Sequence, residues 1–421
     1  MKIKVGVIYG GETVEHEVSI ISAIQAMNNL DEEKYEIIPI YISKDRIWYT
    51  GHVLREMDFY KNFEDEKKYA KEVTLCKKGK MFVLQKTNGL FRKDITDLDI
   101  ILPVVHGNNV EDGTLAGLLD SIGIPYVGSH VLGSALGQDK VVMKQVMSSV
   151  GIPIVDYTWF YDNEYIENKD EILDIIKKLG YPVVVKPATL GSSIGITLVH
   201  DSKKIEEAIE EAISYDTKVI VEKAVNNLVE VNASVLGNYE YQKVSPLEEV
   251  MGLDEILSYA DKYLGNAKTK GVKTTASKGM ASTSRIIPAR ISDKLTKDIQ
   301  NTAKNVFKTL NLSGVCRIDF LIDKKENKFY VNEPNTCPGS LSFYLWKEAN
   351  VKYRELLDEM ISISIKEYKN KSKKVKSFKT NILEGFNGSK GVKGIKGLKN
   401  YFQKPNLLME IKVYQNKLKG N

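Results

Sequence analysis

Apolar residues follow two rhythms along this chain, and the switching between them predicts its architecture. The stretch KVGVIYGG, starting at Lys4, is an apolar run closed by two glycines. A short run bounded by turn residues predicts a buried strand. After a polar turn, SIISAIQAMNNL carries apolar residues at helical spacing and stops at two asparagines, which predicts a helix. YEIIPIYI predicts a second strand. A β-loop-α-β opening of this kind predicts a parallel sheet. A charged, weakly patterned insertion follows from about Lys44 to Asp97, and DIILPVVHGNNVEDGTLAGLLDSIGIPYVGS then reads as strand, polar loop, helix and strand.

A new helix opens at Asp139 in DKVVMKQVMSSVGIPIVDY and stops at Gly151. Beyond it the pattern alternates: helix EILDIIKKLG, strand YPVVVKP, a Gly-Ser loop, helix SKKIEEAIEEAISY and strand KVIVEKAV. LVEVNASVLG begins a third unit. The expected organisation is an α/β domain over residues 1–137, two α+β units over 138–225 and 226–371, and a lysine-rich extension over 372–421. GNAKTKGVKTTASKGMASTS, Gly265 to Ser284, shows no period. A stretch of that length inside a domain reads as a lid or an irregular loop.

Composition narrows the class. A chain of 421 residues is too long for one ordinary core. No segment approaches the ~20 apolar residues of a membrane span, and the N-terminal run is too short for a secretory signal. Cys76, Cys316 and Cys337 are widely spaced and odd in number, which argues against a disulfide framework or zinc site and for a cytoplasmic protein. The net charge of +5 owes much to lysines from Lys366 onward. No aromatic interleaving accompanies them, so they read as a solvated tail, and neither nucleic acid nor membrane is an expected partner.

Three clusters carry candidate chemistry. In KPATLGSSIGI, Lys186 precedes small residues whose backbone amides can converge on an anion, with Ser192 and Ser193 adding hydroxyl donors. This reads as a phosphate cradle without the order of a P-loop; a Gly-Ser hairpin with a solvated lysine is the plainer alternative. In RIDFLIDKKENKFYVNEPNTCPGS, strand alternation places Arg317 and Asp319 on one face, and Glu333 and Asn335 on one face of the next strand. An antiparallel pair would gather Asp319, Glu333 and Asn335, hard oxygen ligands of the kind Mg²⁺ takes beside phosphate. In VIVEKAVNNLVE, the stretch Glu222, Lys223, Ala224 and Val225 offers backbone groups and a carboxylate to an adenine edge, and Glu230 can reach a ribose.

Together these segments resemble the ATP-grasp superfamily and, within it, D-alanine–D-alanine ligases. The resemblance rests on GGETVEHEVSI, HGNNVEDGTLAGLLDSIGIPYVGS, ALGQDKVVMKQVMSSVGIPI, YPVVVKPATLGSSIGI, VEKAV, ADKYL and RIDF…VNEPNTCPG, in the family's order over roughly residues 3 to 360. It implies a Rossmann-like N-terminal domain followed by a two-subdomain ATP-grasp fold. It implies that Lys140 and Lys186 bind phosphate, that Ser192 and Ser193 cover it, that Glu222 to Val225 hold adenine and that Glu230 holds ribose. Asp319, Glu333 and Asn335 match ligands of two Mg²⁺ ions, for which Mn²⁺ can substitute. Arg317 and the backbone of Gly339 match the oxyanion-holding groups. Glu17 matches the carboxylate for the first D-alanine's ammonium, Tyr263 the tyrosine linking it to Ser192, and His106 lies in the loop near that substrate. The implied partners are ATP and D-alanine, and the implied assembly is a homodimer.

The chain departs from the family pattern after Gly339, where SLSFYLWKEANVKY replaces a threonine- and serine-containing stretch that seats the second carboxylate. Ser340 or Ser342 is the expected substitute. The leading expectation is ligation of two D-alanines through an acylphosphate for peptidoglycan synthesis. The alternatives are a related ligase with another second substrate, such as D-serine, and a non-catalytic ATP-binding protein.

Overall fold

The computed structural model describes residues 2–89, 92–191, 194–251 and 285–377. Met1–Lys369 form one compact unit, and a second begins at Asn370. Three sheets organise the first.

The N-terminal sheet has seven strands: β1 (Ile3–Gly10), β2 (Tyr35–Ile42), β3 (Trp48–Thr50), β4 (Lys71–Lys78), β5 (Met81–Lys86), β6 (Asp94–Leu98) and β7 (Ile100–Pro103), in the order β6-β5-β4-β3-β2-β1-β7. β1 runs parallel to β2 and β7, as the opening pattern predicts. The remaining pairs are antiparallel, so the sheet is mixed. The weakly patterned insertion thus supplies four strands. Its signal is present in β4, where Val73 and Leu75 are buried and Thr74 between them is exposed, but the surrounding charge masks that period-two pattern.

The second sheet holds β8 (Tyr157–Tyr161), β9 (Val183–Pro187), β10 (Thr197–Val199) and β11 (Lys218–Lys223), all antiparallel, in the order β10-β9-β11-β8. Val183, Val185, Val219 and Val221 are buried in the core built with the helices Lys169–Leu179 and Ile205–Ile213. Alternation therefore turns Lys186 and Glu222 to the opposite face.

The third sheet consists of β12 (Leu228–Gly237), β13 (Gln242–Val244), β14 (Glu248–Val250), β15 (Arg285–Ile286), β16 (Gly314–Asp323) and β17 (Lys328–Asn335). Cys316, Ile318 and Phe320 pack with Ile299, Ala303 and Phe307 of the helix Asp293–Thr309. Arg317 and Asp319 consequently point away from that core. The helix Lys140–Ser149 starts where Asp139 accepts from the amides of Val141 and Val142 at 2.9 and 3.1 Å. That cap fixes Lys140 at the first helical position.

Candidate active site

Register places the acidic cluster. Across β16 and β17, Asp319 pairs with Glu333 and Arg317 with Asn335, but Phe320 pairs with Val331. One residue, Asn332, is extra, and it forms a β-bulge. Without the bulge Glu333 would share a face with Val331 and Phe329, which pack into the apolar core. The bulge brings Glu333 and Asn335 onto the face of Arg317 and Asp319. There Arg317 grips Asp319 with two bonds, Nε to Oδ1 at 2.7 Å and Nη2 to Oδ2 at 2.8 Å, and Asn335 donates to Asp319 Oδ2 at 3.2 Å. Burial opposes the Arg317 charge, but Asp319 overrides it and raises the guanidinium pKa further.

The lysines reach this face from the second sheet and its neighbouring helix. Lys140 Nζ lies 3.1 Å from Glu333 Oε2 and donates to the carbonyl of Leu190 at 2.6 Å. Lys186 Nζ lies 2.6 Å from Glu222 Oε2 and 3.3 Å from Asn332 Oδ1. Lys144, a turn after Lys140, places Nζ 3.0 Å from Glu222 Oε1 and is fully buried. Burial disfavours the Glu222 carboxylate, yet the two ammonium groups hold its pKa at about 2. Burial likewise opposes the Lys186 charge, and Glu222 and Glu333 outweigh it, so its pKa rises. The Glu222 side chain is thus committed to lysines rather than offered to an adenine edge, which leaves its backbone for that role. The Lys223 ammonium is also committed, to the carbonyls of Gly180 at 2.7 Å and Tyr181 at 3.1 Å. Ala224 donates to the Pro182 carbonyl at 3.0 Å, and Val225 follows beyond the end of β11. Glu230 lies on β12, opposite Leu321, with its charge felt at Lys186.

The substrate end requires two corrections. Glu17 is not at the cleft: its side chain is 61% exposed and pairs with Lys44 at 2.7 Å. Glu15, two residues earlier, is buried and lines the cleft with Lys140, Gly191, Arg317, Glu333 and Gly339. A Cβ on Gly191 would meet Glu15 Oε2 at 2.9 Å, so the loop after Lys186 closes directly on this carboxylate. The helix His16–Asn29 begins between the two glutamates and sends them to different sides. Ser340 and Ser342 are the second correction. Both are buried, and neither belongs to the cleft wall that Gly339 borders. Ser340, Leu341 and Ser342 all adopt left-handed backbone angles, with φ of 52°, 52° and 50°. This unusual turn drives Leu341 into the core with Trp346 and Leu356.

His106 and Glu111 brace that turn from below. His106 Nδ1 lies 2.7 Å from the Cys337 carbonyl and therefore donates to it. Its Nε2 then accepts from Ser22 Oγ at 3.1 Å, and Ser22 Oγ accepts from the Ser340 amide at 2.9 Å. Burial lowers the His106 pKa to about 4, consistent with this neutral tautomer. Glu111 accepts from the amides of Cys337 at 2.9 Å and Gly107 at 3.0 Å and from Thr336 Oγ1 at 3.1 Å. Burial, with Glu15 nearby, pushes its pKa up to about 7.

Ser192, Ser193, Tyr263 and the stretch Gly265–Ser284 lie outside the described residues. Sequence reasoning missed Glu15, Glu111, Lys144 and Asn332. Lys144 had a signal: a lysine four residues after Lys140, between the apolar Met143 and Met147.

The donor set fits a divalent cation held jointly with phosphate. Among the described residues no three His, Cys, Asp or Glu side chains cluster as a metal cage. Two carboxylates and an amide share one face instead, and Mg²⁺ typically takes few protein ligands and completes its shell with phosphate and water. The lysines beside them suit a polyphosphate.

Sequence comparison agrees with this geometry. A family pattern described as D-ala D-ala ligase N-terminus matches residues 4–129, and one described as D-ala D-ala ligase C-terminus matches residues 146–362. A D-alanine–D-alanine ligase of Thermosipho melanesiensis is 40% identical over 91% of this chain and 98% of its own length. One of Caldicellulosiruptor bescii is 40% identical over 89% of this chain and 97% of its own. Among solved structures, the VanG D-Ala:D-Ser ligase from Enterococcus faecalis superposes with a TM-score of 0.72 at 31% identity, covering 86% of this chain and all of that one. The D-alanine–D-alanine ligase from Coxiella burnetii gives 0.71 at 28% identity, over 88% of this chain and 96% of its own. The chain belongs to the D-alanine–D-alanine ligase family.

Proposed function

We propose that this protein joins two D-alanines into D-alanyl-D-alanine at the expense of ATP, supplying a building block for peptidoglycan. One observation carries the reading: the Asp319–Glu333 pair sits with Lys140 on one side and Arg317 on the other. Phosphoryl-transfer groups and acyl-transfer groups thereby border one cleft.

In the reaction a carboxylate oxygen of the first D-alanine bonds to the γ-phosphorus, the β–γ bridging bond breaks, and ADP leaves. The second D-alanine's amine then bonds to the acyl carbon and loses a proton, and phosphate departs with the carboxylate oxygen. Phosphoryl transfer needs position and positive charge more than covalent help. Lys140 and Lys186 supply the charge from the protein side. Asp319, Glu333 and Asn335 would hold two Mg²⁺ ions, whose chemistry is neutralisation of phosphate charge. Glu15 receives the first ammonium. Arg317 and the Gly339 amide receive the oxyanion that develops at the acyl carbon. Ser192, Ser193, Tyr263 and residues 265–284 are assigned to covering the nucleotide and excluding water. The backbone of Glu222–Val225 takes adenine, and Glu230 takes ribose.

The proposal includes domains at 1–137, 138–225 and 226–371 with an extension over 372–421, a homodimer and a cytoplasmic location. No described helix is long and apolar enough to cross a membrane. The test is product analysis by mass spectrometry over a panel of D- and L-amino acids with Mg-ATP. D-Alanine alone must give the dipeptide and ADP; a protein that turns over ATP only with a different second amino acid contradicts the assignment.

A further inference from the structure

Lys144 has no place in the chemistry above, yet it is among the largest side chains to be fully buried. Burying an ammonium is costly unless it is paired, and the helix position would accept an apolar residue, as Met143 and Met147 beside it show. Its partner is Glu222 Oε1 at 3.0 Å, with the Asn332 carbonyl at 3.5 Å. The other oxygen of the same carboxylate lies 2.6 Å from Lys186 Nζ. Asn332, the bulge residue, completes the link by meeting Lys186 with its side-chain oxygen at 3.3 Å. Two ammonium groups therefore share one carboxylate, and the buried triad carries a net positive charge.

That sharing has an electrostatic consequence. A carboxylate devoted to Lys186 alone would cancel most of the field that Lys186 projects toward a phosphate. Unit charges in direct contact at a buried site interact strongly, so such cancellation is large on the scale of binding. Lys144 adds a second ammonium beside Glu222 and offsets its charge, so that Lys186 is not the sole counter-ion. Burial chiefly, and then Lys186, depress the Lys144 pKa against the pull of Glu222.

We infer that Lys144 is a positioning residue of the nucleotide-phosphate site, which holds Glu222 between two lysines so that Lys186 stays positive toward the β- and γ-phosphates. The inference rests on the proposed function, which makes Lys186 a phosphate ligand. It predicts a loss confined to phosphate recognition.

Calorimetric titration of the full chain with ADP and with adenosine tests it. Lys144→Met weakens ADP binding about tenfold or more, a change of ~1.4 kcal/mol, and leaves adenosine binding unchanged. The KM for ATP rises in parallel while kcat at saturating ATP stays within a few fold. Lys144→Arg, which keeps the charge, retains ADP affinity. The double variant Lys144→Met/Glu222→Gln releases Lys186 from neutralisation and recovers ADP affinity toward that of the wild type. The double variant removes both partners of the Lys144 ion pair, so it carries the test if the single variant does not fold. Unchanged ADP affinity in Lys144→Met, equal losses for ADP and adenosine, or a double variant no better than the single one each overturn the inference. A wild-type chain that fails to bind ADP overturns the proposed function itself and this inference with it.

Discussion

Asp319 faces Glu333 across two antiparallel strands, while Phe320, the next residue, faces Val331. The skipped residue, Asn332, determines on which side of the sheet the carboxylate of Glu333 emerges. A strand slipped by one residue exchanges its two faces. Deleting Asn332 should leave a regular strand in which Glu333 directly follows Val331 and still pairs with Asp319, so the carboxylate keeps its side of the sheet and dipeptide formation survives. Asn332→Ala keeps the register and loses only the contact to the Lys186 ammonium, so its turnover should fall by one hydrogen bond to a charged group, about 1.5–3 kcal/mol or some ten- to hundredfold. Steady-state ADP release measured on both variants checks this; abolition of turnover by the deletion alone would contradict it.

The glutamates at the start of the first helix should separate cleanly. Glu17 makes an exposed ion pair with Lys44, and such pairs contribute about 0–1 kcal/mol. Glu17→Gln should leave activity near that of the wild type. Glu15→Gln should raise the KM for the first D-alanine strongly. Kinetics at varied D-alanine, which resolve the two amino-acid sites, decide between them.

Arg317→Ala should uncouple the two chemical steps. Loss of one oxyanion donor costs about 10²–10³ in kcat in other acyl transfers, so dipeptide formation should fall by about that factor. ADP formation should fall less, because hydrolysis of the acylphosphate still consumes ATP. The ratio of ADP to dipeptide is the readout, and a ratio that stays at one would contradict the assigned role.

Glu111 gives a pH prediction with a definite sign. Its pKa lies at about 7 in the folded chain against an ordinary value of 4.5. The folded state holds the proton more tightly, so this group's contribution to stability falls as pH rises from about 4.5 to 7 and is constant outside that window. The full difference is ~3 kcal/mol, at 1.36 kcal/mol per pKa unit. His106 has the opposite sign: its pKa is about 4 against 6.5, so its contribution is lost as pH falls through that range. Thermal melts of wild type and Glu111→Gln between pH 5 and 8 should diverge in favour of the variant as pH rises. A difference independent of pH would show that Glu111 titrates normally.

Much of this was legible in the sequence because it depends on local periodicity. Alternation alone puts Arg317 and Asp319 on one face, and an antiparallel partner gathers Glu333 and Asn335 beside them. What strict alternation does not encode is the bulge: Val331 and Glu333 are two apart, and only the cross-strand register shows that they face opposite sides. The same limit hid the turn after Gly339. Ser-Leu-Ser contains no glycine to announce left-handed angles, and the family resemblance points to Ser340 or Ser342 in the cleft, whereas both are buried beside Leu341. Glu15 and Glu17 differ by two positions at a helix start, where side-chain direction depends on the cap rather than on a repeat. Lys144 and Glu222 come from separate segments, and their pairing follows from how a helix meets a sheet.

On the proposed function, this cleft activates a carboxylate by phosphoryl transfer before an amine attacks it. Isotope transfer tests it most directly: D-alanine labelled with ¹⁸O in its carboxylate is turned over with unlabelled Mg-ATP, and the released phosphate is analysed by mass spectrometry. Each phosphate formed with a dipeptide should carry one ¹⁸O atom derived from the amino acid. Unlabelled phosphate released alongside dipeptide would contradict it.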